Sequence, residues 1–222
     1  MKQSLKFLVG ALVTGLLTLG AAWGDTVIPI ANPSFEITNP LTTSCGTGCA
    51  YNDGPIPDWT VTGGQSGTQM LNSTYYSTPV PDGSLMAYSN GSTISQTLAG
   101  VTLNPDSTYT LSVYIGNRLD NYPSDYSFSL EAGSTILSTF SGYTGNITPG
   151  TWQQEFLTYT TGDTASSGDI TILLTSAGTQ TDFDNVSLTD PPANTPEPGS
   201  AWMLGAGLLG LLGIAVPRSL KA

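Results

Sequence analysis

Histidine is absent from the 222-residue sequence, and its absence removes several kinds of active site. A Ser-His-Asp or Cys-His catalytic arrangement is excluded, and so is a zinc site with histidine ligands. Basic residues are also scarce, because Arg118 is the single lysine or arginine between residues 7 and 217, whereas residues 25–190 contain 15 acidic residues. Nucleic acid is therefore not an expected partner, since phosphate binding draws its affinity from lysine and arginine.

Cysteine occurs only at Cys45 and Cys49, within the segment SCGTGC. Two thiols are too few for a structural metal site. In an oxidising compartment, a Cys-x3-Cys loop that contains two glycines is able to close into a disulfide. We therefore predict a disulfide between Cys45 and Cys49, with a small contribution to stability because the closed loop is short.

Helical patterns and repeats of fixed period are missing from the middle of the chain, where apolar and polar residues alternate instead. In residues 107–116 the side chains of Tyr109, Leu111, Val113 and Ile115 share one face, and the same alternation recurs in residues 126–130 and 170–174. Turn-forming segments separate these stretches, which predicts an all-β sandwich over residues 25–190. Residues 39–54 and 62–81 are turn-rich and are predicted as long loops, where binding sites usually lie.

Two hydrophobic segments flank the predicted domain. Residues 1–24 contain two lysines, an apolar stretch and a small-residue end, which is typical of a secretory signal peptide; a retained helical anchor is the alternative. Residues 191–200 read as a linker, residues 201–217 as a transmembrane helix and residues 218–222 as a basic tail. Basic residues after the apolar run hold that end in the cytoplasm, so the domain is expected outside the membrane.

The tail resembles the PEP-CTERM sorting signal of Gram-negative bacteria, because the linker contains Pro196, Glu197 and Pro198 ahead of the apolar run. The resemblance implies an exosortase-type processing enzyme as a partner and an exported precursor anchored in the inner membrane. It also implies a final place at the cell surface or in the extracellular matrix, in bacteria that make exopolysaccharide. The basic end departs from the family pattern, since Arg218 and Lys221 are separated and Pro217 lies between them. Ordinary single-pass anchoring is therefore the alternative.

Four short segments of the domain resemble the jelly-roll carbohydrate-binding modules of the galactose-binding-like superfamily. They are residues 31–36 (ANPSFE), 57–61 (PDWTV), 94–98 (ISQTL) and 183–188 (FDNVSL). The resemblance implies a jelly-roll β-sandwich with a structural Ca²⁺ held by Glu36 and Asp184, and Asp182 is a further candidate ligand.

The side-chain pattern of the last segment supports a partner for Asp184 independently of the resemblance. With a period of two, Asp184 points to the same side as Val186 and Leu188, which is the core side. A buried carboxylate is costly unless it is paired or bound to a metal. The alternative is a solvated Asp184 at the end of the strand.

Sugar binding needs exposed aromatic rings beside polar groups. Tyrosines and a charged turn supply both, and the predicted ligand-binding residues are Tyr114, Arg118, Asp120, Tyr122 and Tyr126, with Tyr75 and Tyr76 as further aromatic candidates. Structural roles for the tyrosines are the alternative, because tyrosine favours strands. Trp59 and Trp152 are predicted as core residues.

These features together predict an exported, surface-sorted protein without catalytic activity that binds extracellular polysaccharide or matrix. One alternative is a structural or adhesive matrix protein with no small-molecule site. Another is a glycoside hydrolase that uses a pair of carboxylates and needs no histidine.

Overall fold

The computed structural model describes residues 25–120 and 123–190, which form eleven β-strands and one turn of 3₁₀-helix, Thr144–Asn146. The strands are β1 (Thr26–Ile28), β2 (Thr43–Gly46), β3 (Cys49–Tyr51), β4 (Thr60–Met70), β5 (Met86–Thr102), β6 (Thr108–Asn117), β7 (Asp125–Ala132), β8 (Thr135–Tyr143), β9 (Thr151–Thr160), β10 (Asp169–Ser176) and β11 (Thr181–Asp190). All of the strand pairs in this part of the chain are antiparallel.

Two layers of strands enclose the hydrophobic core. One layer has the order β2-β3-β4-β5-β10-β7-β8, and the other has the order β1-β11-β6-β9. The long strand β5 joins them, because its first residues pair with β11 and its later residues pair with β10. The predicted jelly-roll β-sandwich is confirmed.

The alternating segments form strands as predicted. The side chains of Tyr109, Leu111, Val113 and Ile115 are all buried in the core, and so are the apolar residues of β7 and β10. One expectation was wrong: residues 39–54 and 62–81 are not only loops, since they contain β2, β3 and most of β4. Strand β4 has few apolar residues to alternate, and its place in the sheet comes from its long pairing with β5.

The four segments that resemble carbohydrate-binding modules meet at one end of the sandwich. The indole N–H of Trp59 donates to the backbone carbonyl of Asn32 (3.0 Å), and the N–H of Val186 donates to the carbonyl of Pro33 (2.9 Å). The side chain of Gln96 bonds both the N–H and the C=O of Ala31. These short motifs therefore tie the two sheets together, which is a structural role.

A β-bulge in β11 changes which side of the sheet its residues face. The register with β6 shifts between Asp184 and Ser187, and Asn185 has a positive φ of 46°. Phe183 and Val186 both lie in the core although they are three positions apart, an odd spacing that would place them on opposite faces of a regular strand. Asp184 therefore points away from the core, and the prediction that it shares the face of Val186 was wrong because a period of two does not continue through a bulge.

The predicted Cys45–Cys49 disulfide is present. The signal peptide, the Pro196-Glu197-Pro198 motif, the transmembrane helix and the basic tail lie outside the described residues. Within residues 25–120 and 123–190, no helix is long and apolar enough to cross a membrane.

Candidate functional site

Asp182 is a carboxylic acid buried on the face of β11 that points away from the core. It is only 1% exposed. Its Oδ2 accepts a hydrogen bond from the Tyr76 hydroxyl (2.7 Å), and its Oδ1 accepts one from the side-chain amide of Gln180 (2.7 Å). Burial raises the pKa of Asp182 to about 6, even though the charge of Arg118 and both hydrogen bonds lower it. Near neutral pH this group is therefore able to hold a proton and to give it up.

Tyr76 reaches Asp182 from the loop of residues 71–85, which connects β4 to β5 and lies over β6 and β11. The carbonyl of Asn72 accepts the N–H groups of Tyr75 and Tyr76, which folds this part of the loop into a turn. The Tyr76 ring stacks on Trp152 with centroids 4.7 Å apart and planes at 15°. Gly116 lies beneath the hydroxyl, and a side-chain carbon at Gly116 would overlap it. The contact with Asp182 thus depends on a glycine in β6.

Arg118 holds Gln180, the second hydrogen-bond partner of Asp182, in place. Its guanidinium forms a two-point pair with Asp120 (2.9 and 2.6 Å) and lies 4.4 Å from the centre of the Tyr75 ring. Its remaining amino group donates to the side-chain oxygen of Gln180 (2.6 Å). Because the Gln180 oxygen accepts from Arg118, the Gln180 amide nitrogen faces Asp182. This nitrogen donates to Asp182 and also to the side-chain oxygen of Gln69 (3.0 Å).

The larger of two cavities beside this network has a volume of about 460 Å³. None of its lining residues in the described part of the chain carries a charge, although the domain is strongly acidic. Its apolar walls come from the loop, the neighbouring strands and the stacked ring pair: Met70, Leu71, Tyr76, Pro79, Val80, Met86 and Trp152. Tyr76 is the titratable group in this wall. The cavity thus suits a neutral, largely apolar molecule.

The smaller cavity has a volume of about 230 Å³ and shares Gln69 with the larger one. Three tyrosines, Tyr51, Tyr75 and Tyr88, line it together with Asp53 and Arg118. The Tyr88 hydroxyl donates to the carboxylate of Asp53 and to the carbonyl of Asn52. Burial raises the pKa of Tyr88, so its hydroxyl remains protonated and acts as a donor.

Three acids lie near the end of the 71–85 loop: Glu36, Asp82 and Asp184. Glu36 accepts the N–H groups of Ser84 and Leu85, and Asp184 accepts the N–H of Asp82 (2.9 Å). Asp184 is fully buried, which excludes the solvated alternative, and its Oδ1 has no partner among the described residues. Burial raises its pKa to about 8, and the charges of Asp82 and Glu36 contribute to the rise.

The predicted calcium ligands Glu36, Asp182 and Asp184 do not fit one shared site. In the part of the chain that the structure describes, no group of three or more His, Cys, Asp or Glu side chains could hold a metal ion. Asp182 bonds to Tyr76 and Gln180, and Glu36 bonds to backbone amides. Of the three, only Asp184 keeps a buried oxygen without a partner.

The predicted ligand-binding residues separate in the structure. Arg118 and Asp120 lie at the site, and Tyr114 lies in β6 opposite Asp184 on the same face. Tyr126 instead belongs to the core, where it packs near Phe140. Tyr122 lies outside the described residues. Trp59 is a core residue as predicted, whereas Trp152 lines the larger cavity and not the core.

The comparison by sequence profile identifies one family. The profile described as HpiC1-like, HpiC1 cyclase, matches residues 26–189. No curated protein matches the chain in sequence.

Among solved structures, three structures of cyclases from Fischerella share the fold with a TM-score of 0.62 and align with 77% of this chain. An apo cyclase from Fischerella sp. is 23% identical over 98% of its length. A cyclase from Fischerella sp. TAU in complex with 4-(1H-indol-3-yl)butan-2-one is 25% identical over its whole length. The Stig cyclase Fisc from the same source, in complex with (3Z)-3-(1-methyl-2-pyrrolidinylidene)-3H-indole, is also 25% identical over its whole length.

These matches correct the function expected from the sequence. The prediction of a protein without catalytic activity that binds polysaccharide was wrong, because the family profile and the similar structures point to a cyclase. The alternatives of a structural matrix protein and of a glycoside hydrolase were wrong for the same reason. The matches give no support to the PEP-CTERM signal or to a role in exopolysaccharide.

Proposed function

The chain belongs to the HpiC1-like cyclase family, and on this premise we propose that it closes a ring in a neutral aromatic substrate by proton transfer from Asp182 through Tyr76. The observation that carries the proposal is the hydrogen bond from Tyr76 to the buried carboxyl of Asp182, made by a tyrosine that lines an uncharged cavity. An acid with a pKa near 6 suits proton transfer at neutral pH, because catalytic acids work best when their pKa lies near the operating pH.

The larger cavity is the proposed substrate site. Its volume falls in the usual range of ligand pockets, about 300–1,000 Å³. Aromatic and thioether side chains in its wall, such as Trp152, Met70 and Met86, favour contact with a flat aromatic ring. An indole-type substrate is the choice we favour, since a similar cyclase is solved with 4-(1H-indol-3-yl)butan-2-one bound.

The proposed reaction moves one proton in and one proton out, so that the product is an isomer of the substrate. Protonation of Asp182 reverses the hydrogen bond, so that the carboxyl donates to the Tyr76 oxygen and the Tyr76 hydroxyl proton turns to the substrate. Tyr76 then gives this proton to a carbon–carbon double bond of the substrate and takes the proton of Asp182. The cation that results is attacked by a π bond of the aromatic ring, which forms the new carbon–carbon bond. Loss of a proton from the attacked ring carbon restores aromaticity, and that proton returns the Asp182–Tyr76 pair to its starting state.

The surrounding residues have positioning roles. Arg118 holds Gln180, and Gln180 fixes one carboxylate oxygen of Asp182, so that the other oxygen faces Tyr76. Trp152 fixes the plane of the Tyr76 ring. This arrangement keeps the donor in place before the substrate binds, which is how enzymes avoid reorganisation during the reaction.

The test is turnover of indoles that carry an unsaturated side chain, followed by liquid chromatography and mass spectrometry for a product of unchanged mass and new retention time. We expect Asp182→Asn and Tyr76→Phe each to lower kcat by about 100-fold or more, the usual contribution of a positioned acid. Asp163→Asn is the matched control, because Asp163 is exposed in the loop between β9 and β10. Full turnover by both site variants, or no cyclised product from the wild type with any such indole, would overturn the proposal.

Calcium and export stay predictions for this chain. The unpartnered, buried Oδ1 of Asp184 is the support for a bound ion here. A higher melting temperature with Ca²⁺ than with EDTA would support a bound ion, since a ligand that binds only the folded state stabilises it. No step of the proposed reaction is assigned to the metal.

Export is supported by the signal-like residues 1–24. It is tested by N-terminal sequencing of the mature protein, which we expect to begin at Asp25. A mature chain that retains Met1 would contradict it. The exosortase-type partner and the membrane anchor likewise stay predictions.

A further inference from the structure

The smaller cavity is lined by charged side chains and tyrosines, whereas the proposed substrate site is uncharged. Tyr51, Tyr75 and Tyr88 line it together with two charged side chains, Asp53 and Arg118. The guanidinium of Arg118 already lies over the ring of Tyr75, which leaves Tyr51 and Tyr88 beside Asp53. The rings of Tyr51 and Tyr88 meet edge to face, with centroids 6.1 Å apart. Aromatic faces beside a carboxylate favour a positively charged ligand.

The charge of Asp53 is not balanced within the described part of the chain. Arg118 is the basic residue of the described part of the chain. Its guanidinium pairs with Asp120 at two points and donates a further hydrogen bond to Gln180, so it does not pair with Asp53. Asp53 accepts a hydrogen bond from the neutral hydroxyl of Tyr88, which orients the carboxylate without neutralising it. The side of the cavity formed by Asp53 therefore carries a net negative charge.

Asp53 is also held in place by the backbone on both sides of it. The N–H of Asn52 bonds the carbonyl of Thr68 (3.0 Å), and the N–H of Gly54 bonds the carbonyl of Ser66 (3.0 Å). These bonds continue the pairing of β3 with β4 past the end of β3. Asp53 is a solvent-exposed residue that lines the cavity, and a carboxylate whose backbone is fixed in this way needs little reorganisation to bind a ligand.

We propose that the smaller cavity is a binding site for a small protonated amine, an alkylammonium ion, whose nitrogen contacts the Asp53 carboxylate beside the rings of Tyr51 and Tyr88. The cavity volume of about 230 Å³ suits a small group, such as a short primary amine or an aminoalkyl side chain, and Asp53 also lines an adjoining open cavity of about 530 Å³. Because Gln69 lines both cavities, an amine bound here lies next to the larger cavity. The inference does not depend on the proposed cyclisation, since it concerns binding alone.

Binding of n-propylammonium and of 1-propanol to the full chain tests the site, with NMR titration as the readout. The two probes have the same length and differ in charge. We expect saturable binding of the amine, no saturable binding of the alcohol, and an affinity for the amine at least about tenfold lower in Asp53→Asn, which is the effect of one lost charged contact. Asp163→Asn removes the same charge at an exposed position and should bind the amine like the wild type.

A second variant separates a contact from a general charge effect. Tyr51→Leu keeps the charge and removes one ring, and we expect about a two- to fivefold loss of affinity for the amine, the size of a partly exposed cation–π contact. The site is overturned if the wild type does not saturate with the amine, if the alcohol binds equally well, or if Asp53→Asn binds the amine as Asp163→Asn does. Failure of the amine site leaves the turnover experiment on Asp182 unaffected, so the two proposals can fail separately.

Discussion

The hydroxyl of Tyr76 donates a 2.7 Å hydrogen bond to the buried carboxylate of Asp182, across 106 positions of sequence. The tyrosine belongs to the loop between β4 and β5, and the acid belongs to the last strand. Burial also raises the pKa of Tyr76 well above its ordinary value, so that Tyr76 stays protonated and able to donate.

The rate of the proposed cyclisation should depend on pH through Asp182. The reaction needs Asp182 protonated, and burial raises its pKa to about 6. We therefore expect kcat/KM, which reports the free enzyme, to be highest in mildly acidic solution and to fall tenfold for each pH unit well above 6. The measurement is a pH profile of kcat/KM on the wild type, with Asp163→Asn as the control that must keep the same midpoint. A rate that rises with pH through this range would contradict the assignment of Asp182 as the acid.

Replacing Gly116 with alanine should disrupt the acid pair more than the fold. A methyl group at this position would overlap the Tyr76 hydroxyl and crowd the Trp152 ring, so Tyr76 must move away from Asp182. We expect kcat to fall towards that of Tyr76→Phe, with a loss of about 1–3 kcal/mol in the free energy of unfolding from overpacking. Gly162→Ala is the matched control, because nothing lies within 4 Å of a side-chain carbon there. Unchanged turnover in Gly116→Ala would show that Tyr76 does not need its observed position.

Stability should decrease with rising pH because of Asp184. Burial raises its pKa from 3.8 to about 8, so the folded state holds the proton more tightly than the unfolded state does. The resulting stabilisation is complete below about pH 4 and is lost as the pH rises to about 8. Asp182 contributes in the same direction between about pH 4 and 6.

Asp184→Asn should remove most of this dependence, since asparagine does not ionise and still accepts the N–H of Asp82. We expect the variant to be more stable than the wild type at pH 9 and to differ little from it at pH 5. The measurement is urea unfolding in EDTA, which prevents a bound cation from masking the carboxylate. Equal pH dependence in the variant and the wild type would contradict the buried, protonated state of Asp184.

The Cys45–Cys49 disulfide should add little stability, because it closes a loop of only a few residues. Chain entropy limits its contribution to about 2 kcal/mol. Reduction should therefore lower the free energy of unfolding by no more than this amount and leave the fold intact. Urea unfolding with and without dithiothreitol measures the difference, and the Cys45→Ser, Cys49→Ser double variant without reductant is the control. Loss of the native fold on reduction would contradict the prediction.

Alternation predicted β6, β7 and β10, in each of which one face of the strand is apolar. Tyr109 to Ile115 in β6 are an example, since each second side chain enters the core. The same rule missed β4, whose glycine, glutamine, serine and threonine residues present little contrast between its two faces. It also assigned the wrong face to Asp184, because the bulge at Asn185 shifts the alternation by one residue.

The candidate site was predicted only in fragments. Arg118 and Asp120 stood out because a single basic residue beside an acid in a turn is visible in one segment of sequence. Tyr75 and Tyr76 were candidates for their rings alone, and both line cavities, whereas nothing in the sequence linked Tyr76 to Asp182. No local pattern distinguishes Tyr88, connects Gln180 to Gln69 or places Asp53 beside a cavity. These groups come from separate strands and loops, so their shared position depends on pairing between distant segments.

The sequence by itself determined the all-β class, the core faces of the regular strands, the disulfide and the absence of histidine chemistry, because each of these depends on composition or on neighbours in the chain. Only the tertiary structure decided that Asp182 and Asp184 are buried away from the core, and that Tyr76 lies over Gly116 within reach of Asp182. The physical reason is desolvation: the pKa of a carboxyl group depends on what covers it, and here the cover is a loop about one hundred residues earlier in the chain.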